Sequence, residues 1–536
     1  MKQSNKKICF AVSILLLVIK NGFSQNIELP EVTTVVSGEN VIAQEDDLPS
    51  FSDVIIIPQK SESGEIILPE VTVSSSDIEN KSEQERYQKN IFAEGKIGGG
   101  FPTLFTGEFS VFKVTPESPF KIYFLYDSAA GYANHLLTDG FSDQTVNFAV
   151  DKGYSKNNLS LNFGGGYNSF SNGLQNIQPE ITKINQNQYF GDVDFSYNLQ
   201  KNIILGAFFD LDFYNRYADA LNNNVPTALF FSISPLLFAD WSGYGFKTKI
   251  EAKYLLEKEF KNAVFGNPNN RAEISAKVEW SNDMFRIFSK AALVFGNSLN
   301  NHKVLVPFSL DIESTFPVYF SNRKVSVYAE GGLKSYENRI SELEKKYRFS
   351  SVEIMPFETS DWYGKIGFSV PLKESFVGAA EFEYTKTAFS NGKWQPFYND
   401  DYLKNGLYIF NNKQMQCLKS RIEISYHYKI FSLIAGWKSN WIDVPVLENM
   451  HQVYLNLNFQ SENSKWGIDF KFIQPLEYEF ADPIINFEGF VKLTQAVRAV
   501  FSAQDIVKLF KAEPRIYCGN YYEKGGTATV LLKFFF

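Results

Sequence analysis

From Ile91 to Phe536, apolar and polar residues alternate with a period of two in run after run, as in strands whose two faces meet different surroundings. In 271–280, Ala272, Ile274, Ala276, Val278 and Trp280 alternate with Arg271, Glu273, Ser275, Lys277 and Glu279. In 246–254, Phe246, Thr248, Ile250, Ala252 and Tyr254 alternate with Lys247, Lys249, Glu251 and Lys253. These two runs are sequence neighbours, so their polar faces are placed to set Lys against Glu across a ladder. Val453, Leu455, Leu457 and Phe459 divide in the same way from Tyr454, Asn456 and Asn458, as do Trp466, Ile468, Phe470 and Phe472 from Lys465, Asp469 and Lys471. One face suits lipid and the other needs water.

Marking such runs from Phe92 to Phe536 predicts about 22 strands, with 16 to 22 as the range, and joins that alternate in length. Short joins fall at Thr115 to Ser118, Asp151 to Ser155, Gln200 to Lys201, Asn282 to Asp283, Lys429 to Ile430 and Ser461 to Glu462. Long ones fall at Ala129 to Ser142, Asn168 to Gln186, Asn215 to Pro226, Leu256 to Asn269, Tyr336 to Asp361, Ala388 to Met415 and Gln504 to Gly526. A soluble sandwich has no reason to sort its loops in this way. An outer-membrane barrel does, with short turns on the periplasmic rim and long loops outside. The expected fold is therefore all-β, an up-and-down transmembrane antiparallel barrel over 91–536. A closed barrel is also the only β-structure that satisfies every backbone hydrogen bond in lipid.

Composition agrees, since 16% of the residues are aromatic, with 51 Phe and 28 Tyr, as a lipid-facing band and two interfacial girdles require. The last ten residues form one strand with Val530, Leu532, Phe534 and Phe536 on a single face. That strand is expected to be the twenty-second and to pair with the first, near Phe92 to Gly100. At the other end, Lys2, Lys6 and Lys7 precede an apolar run from Ile8 to Ile19, with Gly22 and Ser24 after it, which reads as a signal peptide over 1–24. Cys9 lies inside the apolar run, so a lipid-anchored N-terminus is not indicated. Residues 25–90 hold fourteen acidic side chains against Lys60, Lys81, Arg86 and Lys89 and lack the alternation, so a low-order periplasmic segment is expected. The remainder is close to neutral, and neither part offers the basic surface that nucleic-acid binding requires. Within 25–90, Leu29-Pro30-Glu31-Val32-Thr33 returns as Leu68-Pro69-Glu70-Val71-Thr72, each suited to adding a strand to another sheet's edge.

The strand count, the loop alternation, the Leu-Pro-Glu-Val-Thr elements and the ending through Tyr517, Tyr521 and Gly525-Gly526 together resemble the TonB-dependent receptors, outer-membrane uptake proteins with 22 strands around an N-terminal plug. The resemblance implies solute uptake. It also implies a TonB-like energy transducer as partner, with Leu29 to Thr33 as its docking segment. Leu532, Phe534 and Phe536 correspond to the mark that barrel assembly machinery reads. The departure is that about 65 residues precede the first strand where such receptors spend well over a hundred on a folded plug. The acidic segment, the loops at Tyr336 to Asp361 and Ala388 to Met415, or a separate plug polypeptide must then close the lumen. The competing class is a surface adhesin or structural barrel through which nothing passes.

Site chemistry is sparse. His135, His302, His427 and His451 lack metal-ligand spacing, and His135 with Asp139 is the nearest imitation of an outer-rim hydrolase site, so an enzyme is the weakest reading. No cofactor is expected. Gly98-Gly99-Gly100 and Gly164-Gly165-Gly166 open no helix and carry no following Lys-Ser/Thr, which points to close backbone packing rather than phosphate binding. Cys417 and Cys518 remain after cleavage and are candidates for a disulfide, which unchanged gel mobility on reduction would reject. Lys247, Lys249, Glu251, Arg271 and Glu273 are the lumen charges expected to set specificity.

Overall fold

The computed structural model describes residues 91–536, apart from 116, 132–141, 174–180, 221–226, 261–267, 300–303, 319–320, 354–355, 357, 374, 390–391, 400, 402, 405, 447, 462–463, 477–480, 512–514, 519–520 and 524. Its main element is a 22-stranded sheet in which each strand pairs antiparallel with its neighbours in sequence. The first strand, Ile91–Phe101, pairs with the second, Leu104–Lys113, and on its other edge with the last, Thr527–Phe535. The seam runs from Glu94 opposite Phe535 to Phe101 opposite Ala528. Ala93 and Phe536 complete it by exchanging N–H to carbonyl bonds of 3.1 and 2.8 Å. The sheet is therefore closed, and no edge is left to meet lipid. No helix among the described residues is long and apolar enough to cross a membrane, which a strand-built barrel does not need.

The seam explains the first glycine triplet. A methyl group at Gly98 would run into the Val530 carbonyl and the Leu531 side chain, and one at Gly100 into the Ala528 carbonyl. Gly166, in the fifth strand Leu159–Gly173, likewise abuts the Phe148 carbonyl and the Phe190 ring. In both places side chains are absent because neighbouring backbones approach closely.

The outward faces are apolar and exposed. Ile274 and Val278 in the tenth strand, Asn269–Ser281, point outward, as do Val530, Leu532 and Phe536 at the end of the chain. Inward faces carry paired charges, as the alternation implied. Lys277 reaches Glu251 at 2.7 Å, Lys249 reaches the same carboxylate at 3.0 Å, Lys247 reaches Glu279 at 3.5 Å, and Lys290 reaches Glu273 at 3.2 Å. Lys277 and Lys249 are directly opposite in register, so Glu251 between them relieves a like-charge pair.

Three expected boundaries move. The turn expected at Asp151 to Ser155 lies beyond Lys156, where Asn157 adopts a positive φ of 56° that Asn tolerates. Strands also run well into the stretches read as loops at Asn168 to Gln186 and Asn215 to Pro226, as Leu159–Gly173, Ile181–Gln200 and Ile203–Ala220. Ser169 and Tyr167 both hydrogen-bond Asn187 at 2.8 Å, and Ser171 bonds Asn185 at 2.7 Å. Here polar side chains knit neighbouring strands together without any apolar alternation to announce them.

A loop layer in the mouth of the barrel

The long connections leave one end of the barrel, and among the described residues three of them contain α-helices or strands. The connection between the thirteenth and fourteenth barrel strands, Ser321–Tyr336 and Thr359–Lys373, contains helix α1, Ile340–Lys346, and a short strand, Ser350–Ser351. That between the fifteenth and sixteenth, Phe376–Thr387 and Gln416–Tyr428, contains strands Lys393–Pro396, Leu403–Lys404 and Leu407–Lys413. The last long connection contains helix α2, Ile506–Lys511, and the paired strands Arg515–Cys518 and Tyr521–Glu523.

These segments fold on one another. Ser350 and Ser351 pair in parallel with Tyr408 and Ile409, and the Tyr408 N–H donates to the Phe349 carbonyl at 2.9 Å. Phe349, Leu407, Tyr408 and Tyr521 form a buried cluster with Ile184 of the sixth strand, and the Tyr521 hydroxyl donates to the Gly406 carbonyl. Trp394 and Phe410 join Ile340, Leu343, Tyr347 and Val352 against Tyr214, Ala228 and Phe230, which face inward from the seventh and eighth strands. The loops thus share a core with the inner wall.

The wall also holds the loop 337–358 by polar contacts from its sixth to tenth strands. The Glu257 carboxylate accepts the Ile340 N–H at 3.0 Å, the Ser341 N–H at 3.3 Å and the Ser341 hydroxyl at 3.2 Å, so a strand side chain caps α1. Arg216, only 2% exposed, pairs with Glu344 at 2.9 Å and donates to the Ser350 carbonyl at 2.7 Å. Gln186 donates to the Glu344 carbonyl at 3.0 Å. Lys345 meets Asp212 and Arg339 meets Asp210, each at 3.4 Å. Both ends of the loop come to one guanidinium. Arg271 holds Glu358 through two bonds of 3.0 Å and Glu273 at 2.7 Å, and Glu337 lies 4.0 Å from it while bonding Lys253 at 2.9 Å.

Magnitudes separate the roles of these contacts. Burying a side chain such as Ile340 or Leu343 contributes about 1.5–3 kcal/mol, whereas desolvation offsets most of the attraction in a buried ion pair. Apolar packing therefore seats the loop, and the ion pairs set its register. Burial pushes the Glu344 carboxyl up to about 7, with Arg216 pulling the other way. Burial also acts to raise Glu337, but Lys253, Arg339 and Arg271 outweigh it and hold this carboxyl down to about 2.

Of the residues singled out in sequence, Lys247, Lys249, Glu251, Arg271 and Glu273 do share the inner face, and Arg271 alone among them reaches the loop layer. Leu532 and Phe536 lie on the outer face of the closing strand. Leu29 to Thr33, His135, Asp139 and His302 lie outside the described residues. Cys417 is buried at the long-loop end of the sixteenth strand. The Cys518 side chain lies outside the described residues, and a bridge between the two stays a proposal. Arg216, Glu257, Glu337, Glu344 and Glu358 were missed. The signal available was Ile340, Leu343 and Tyr347 at helical spacing inside a supposed loop.

No family profile and no curated protein matches the sequence. Solved structures do. The FrpB iron transporter of Neisseria meningitidis aligns with a TM-score of 0.64 at 9% identity, over 84% of this chain and 82% of that one. The copper transporter OprC gives 0.61 at 9% identity over 83% and 80%, and the siderophore receptor PirA of Pseudomonas aeruginosa gives 0.60 at 7% identity over 83% and 80%. The fold is that of the TonB-dependent receptors. At these identities the likeness is one of architecture, a 22-strand barrel of TonB-dependent-receptor type. Its apolar exterior suits it to span a lipid bilayer.

Proposed function

We propose that the barrel admits a solute across the outer membrane, with its long-loop end outside and the loop layer as its gate. The observation that carries this reading is the seating of loop 337–358 on a water-compatible, charged inner wall through Arg271, Arg216 and Glu257. A barrel that served only as a surface anchor has no need of a charged lumen with a fitted closure, and 22 strands enclose a wide lumen that requires one. The solved structures of similar fold are an iron transporter, a copper transporter and a siderophore receptor, which supports uptake as the class of activity.

The energetic partner in this reading is a TonB-like transducer that pairs with Leu29 to Thr33 by strand addition. Deleting Gln25 to Ser76 is expected to abolish energised uptake in cells while the barrel still migrates as a folded, heat-modifiable band. Uptake at the wild-type rate would remove the transducer from the account.

A further inference from the structure

The wall beneath loop 337–358 answers each kind of group that a peptide carries. Glu257 takes two successive backbone N–H groups, while Gln186 and Arg216 donate to backbone carbonyls. Arg271 grips a carboxylate with two parallel bonds, and Asp210 and Asp212 meet cationic side chains. Ala228 and Phe230 receive apolar ones. A simple organic anion leaves Glu257, Asp210 and Asp212 unanswered, and a simple cation leaves Arg216 and Arg271 unanswered. Burying any of these charges unpaired is costly, so the patch selects for a ligand of both signs with an amide backbone.

The present occupant fits imperfectly at its centre. Arg216 and Glu344 touch through one nitrogen and one oxygen only, and Arg216 Nε, Glu344 Oε2 and Asp212 Oδ1 are buried without a protein partner. At Arg271, by contrast, the carboxylate of Glu358 is engaged at both oxygens. A ligand able to satisfy the central groups competes with the loop on favourable terms.

We propose that this wall patch is a recognition site for an amphoteric oligopeptide, and that loop 337–358 is its intramolecular occupant, displaced when such a solute arrives. The proposal rests on the reading of the barrel as a solute passage and names the class of solute. Its test uses the full chain with residues 337–358 replaced by a short Gly-Ser linker. This variant is titrated with a synthetic peptide of residues 337–358, with a scrambled peptide of the same composition, and with citrate. Saturable binding of the native peptide at least tenfold tighter than the scrambled one is expected. A further loss of at least tenfold is expected when Arg216→Ala and Arg271→Ala are added, and weaker binding to the wild-type chain, whose own loop holds the site. Equal binding of native and scrambled peptides overturns the proposal, and so does citrate competing as well as the native peptide. A linker variant that conducts yet binds no peptide removes this inference and leaves the gate standing, whereas equal conductance of variant and wild type removes both. Should the linker variant fail to assemble, Glu337→Gln, Glu344→Gln and Glu358→Gln together serve as the loosened seat. The same titration then applies, with the same results supporting or overturning the proposal.

Discussion

Arg271→Ala is expected to unseat the loop between the thirteenth and fourteenth barrel strands. The substitution leaves Glu358, Glu273 and Glu337 close together without the guanidinium that joins them. Glu337 keeps Lys253 and Arg339, and Glu273 keeps Lys290, but Glu358 is fully buried and has no other cation among its ion pairs in the described structure. Removing one partner of a buried pair costs about 3–5 kcal/mol, because the remaining charge stays desolvated. That equals roughly a 150- to 5,000-fold shift toward the open loop. The cost falls on the seat and not on the barrel, whose ladder bonds do not involve this side chain. A cysteine placed at buried Leu343 reports the change. Its labelling by a bulky maleimide should be slow in the otherwise wild-type chain and faster by about two orders of magnitude with Arg271→Ala, at unchanged heat-modifiable migration. Equal labelling would mean that Arg271 does not hold the loop.

The second large effect is at the seam. Gly100→Val places a branched side chain where the Ala528 carbonyl already stands, and backbone on both sides prevents relief. The first and last strands must then part locally, leaving N–H and carbonyl groups facing lipid at several kcal/mol each. Failure to appear as a folded barrel in the outer membrane is expected. Gly364→Val is the matched control, since nothing lies within 4 Å of a methyl added there, and it should assemble normally. Removal of Phe536, which bonds Ala93 across the same seam, is expected to lower insertion before any transport is affected. In this reading Leu532, Phe534 and Phe536 are also the mark read by the assembly machinery.

The barrel was legible because its signal is local. A strand between lipid and water repeats every two residues, so 271–280 announces its own faces without knowledge of any partner. Alternating join lengths then give the way round the sheet. The period fails where polar residues fill most of both faces, with Phe170 or Ile184 as the lone apolar side chain, as in 168–173 and 183–188, and no alternation marks a strand there. The loop layer was illegible for a different reason. Gln186 and Glu344 are 158 residues apart in the chain, and Arg216 and Ser350 are 134 apart. No short-range pattern specifies such a contact, even though Ile340, Leu343 and Tyr347 marked the helix that makes it. The lumen charges lie between these cases. Their face was readable, but Arg271 differs from Lys247 or Lys249 only in standing deeper under the loop.

Conductance in a planar bilayer tests the central claim most directly. Full-length protein should be silent or nearly so, and the same protein carrying Arg271→Ala should open at least a hundredfold more often, with Arg271→Lys intermediate because it keeps the charge but not the two-bond grip. An Arg271→Ala protein as silent as the wild type, with its Leu343→Cys reporter nonetheless labelled, would contradict the account, because the loop would then have left its seat without opening a path.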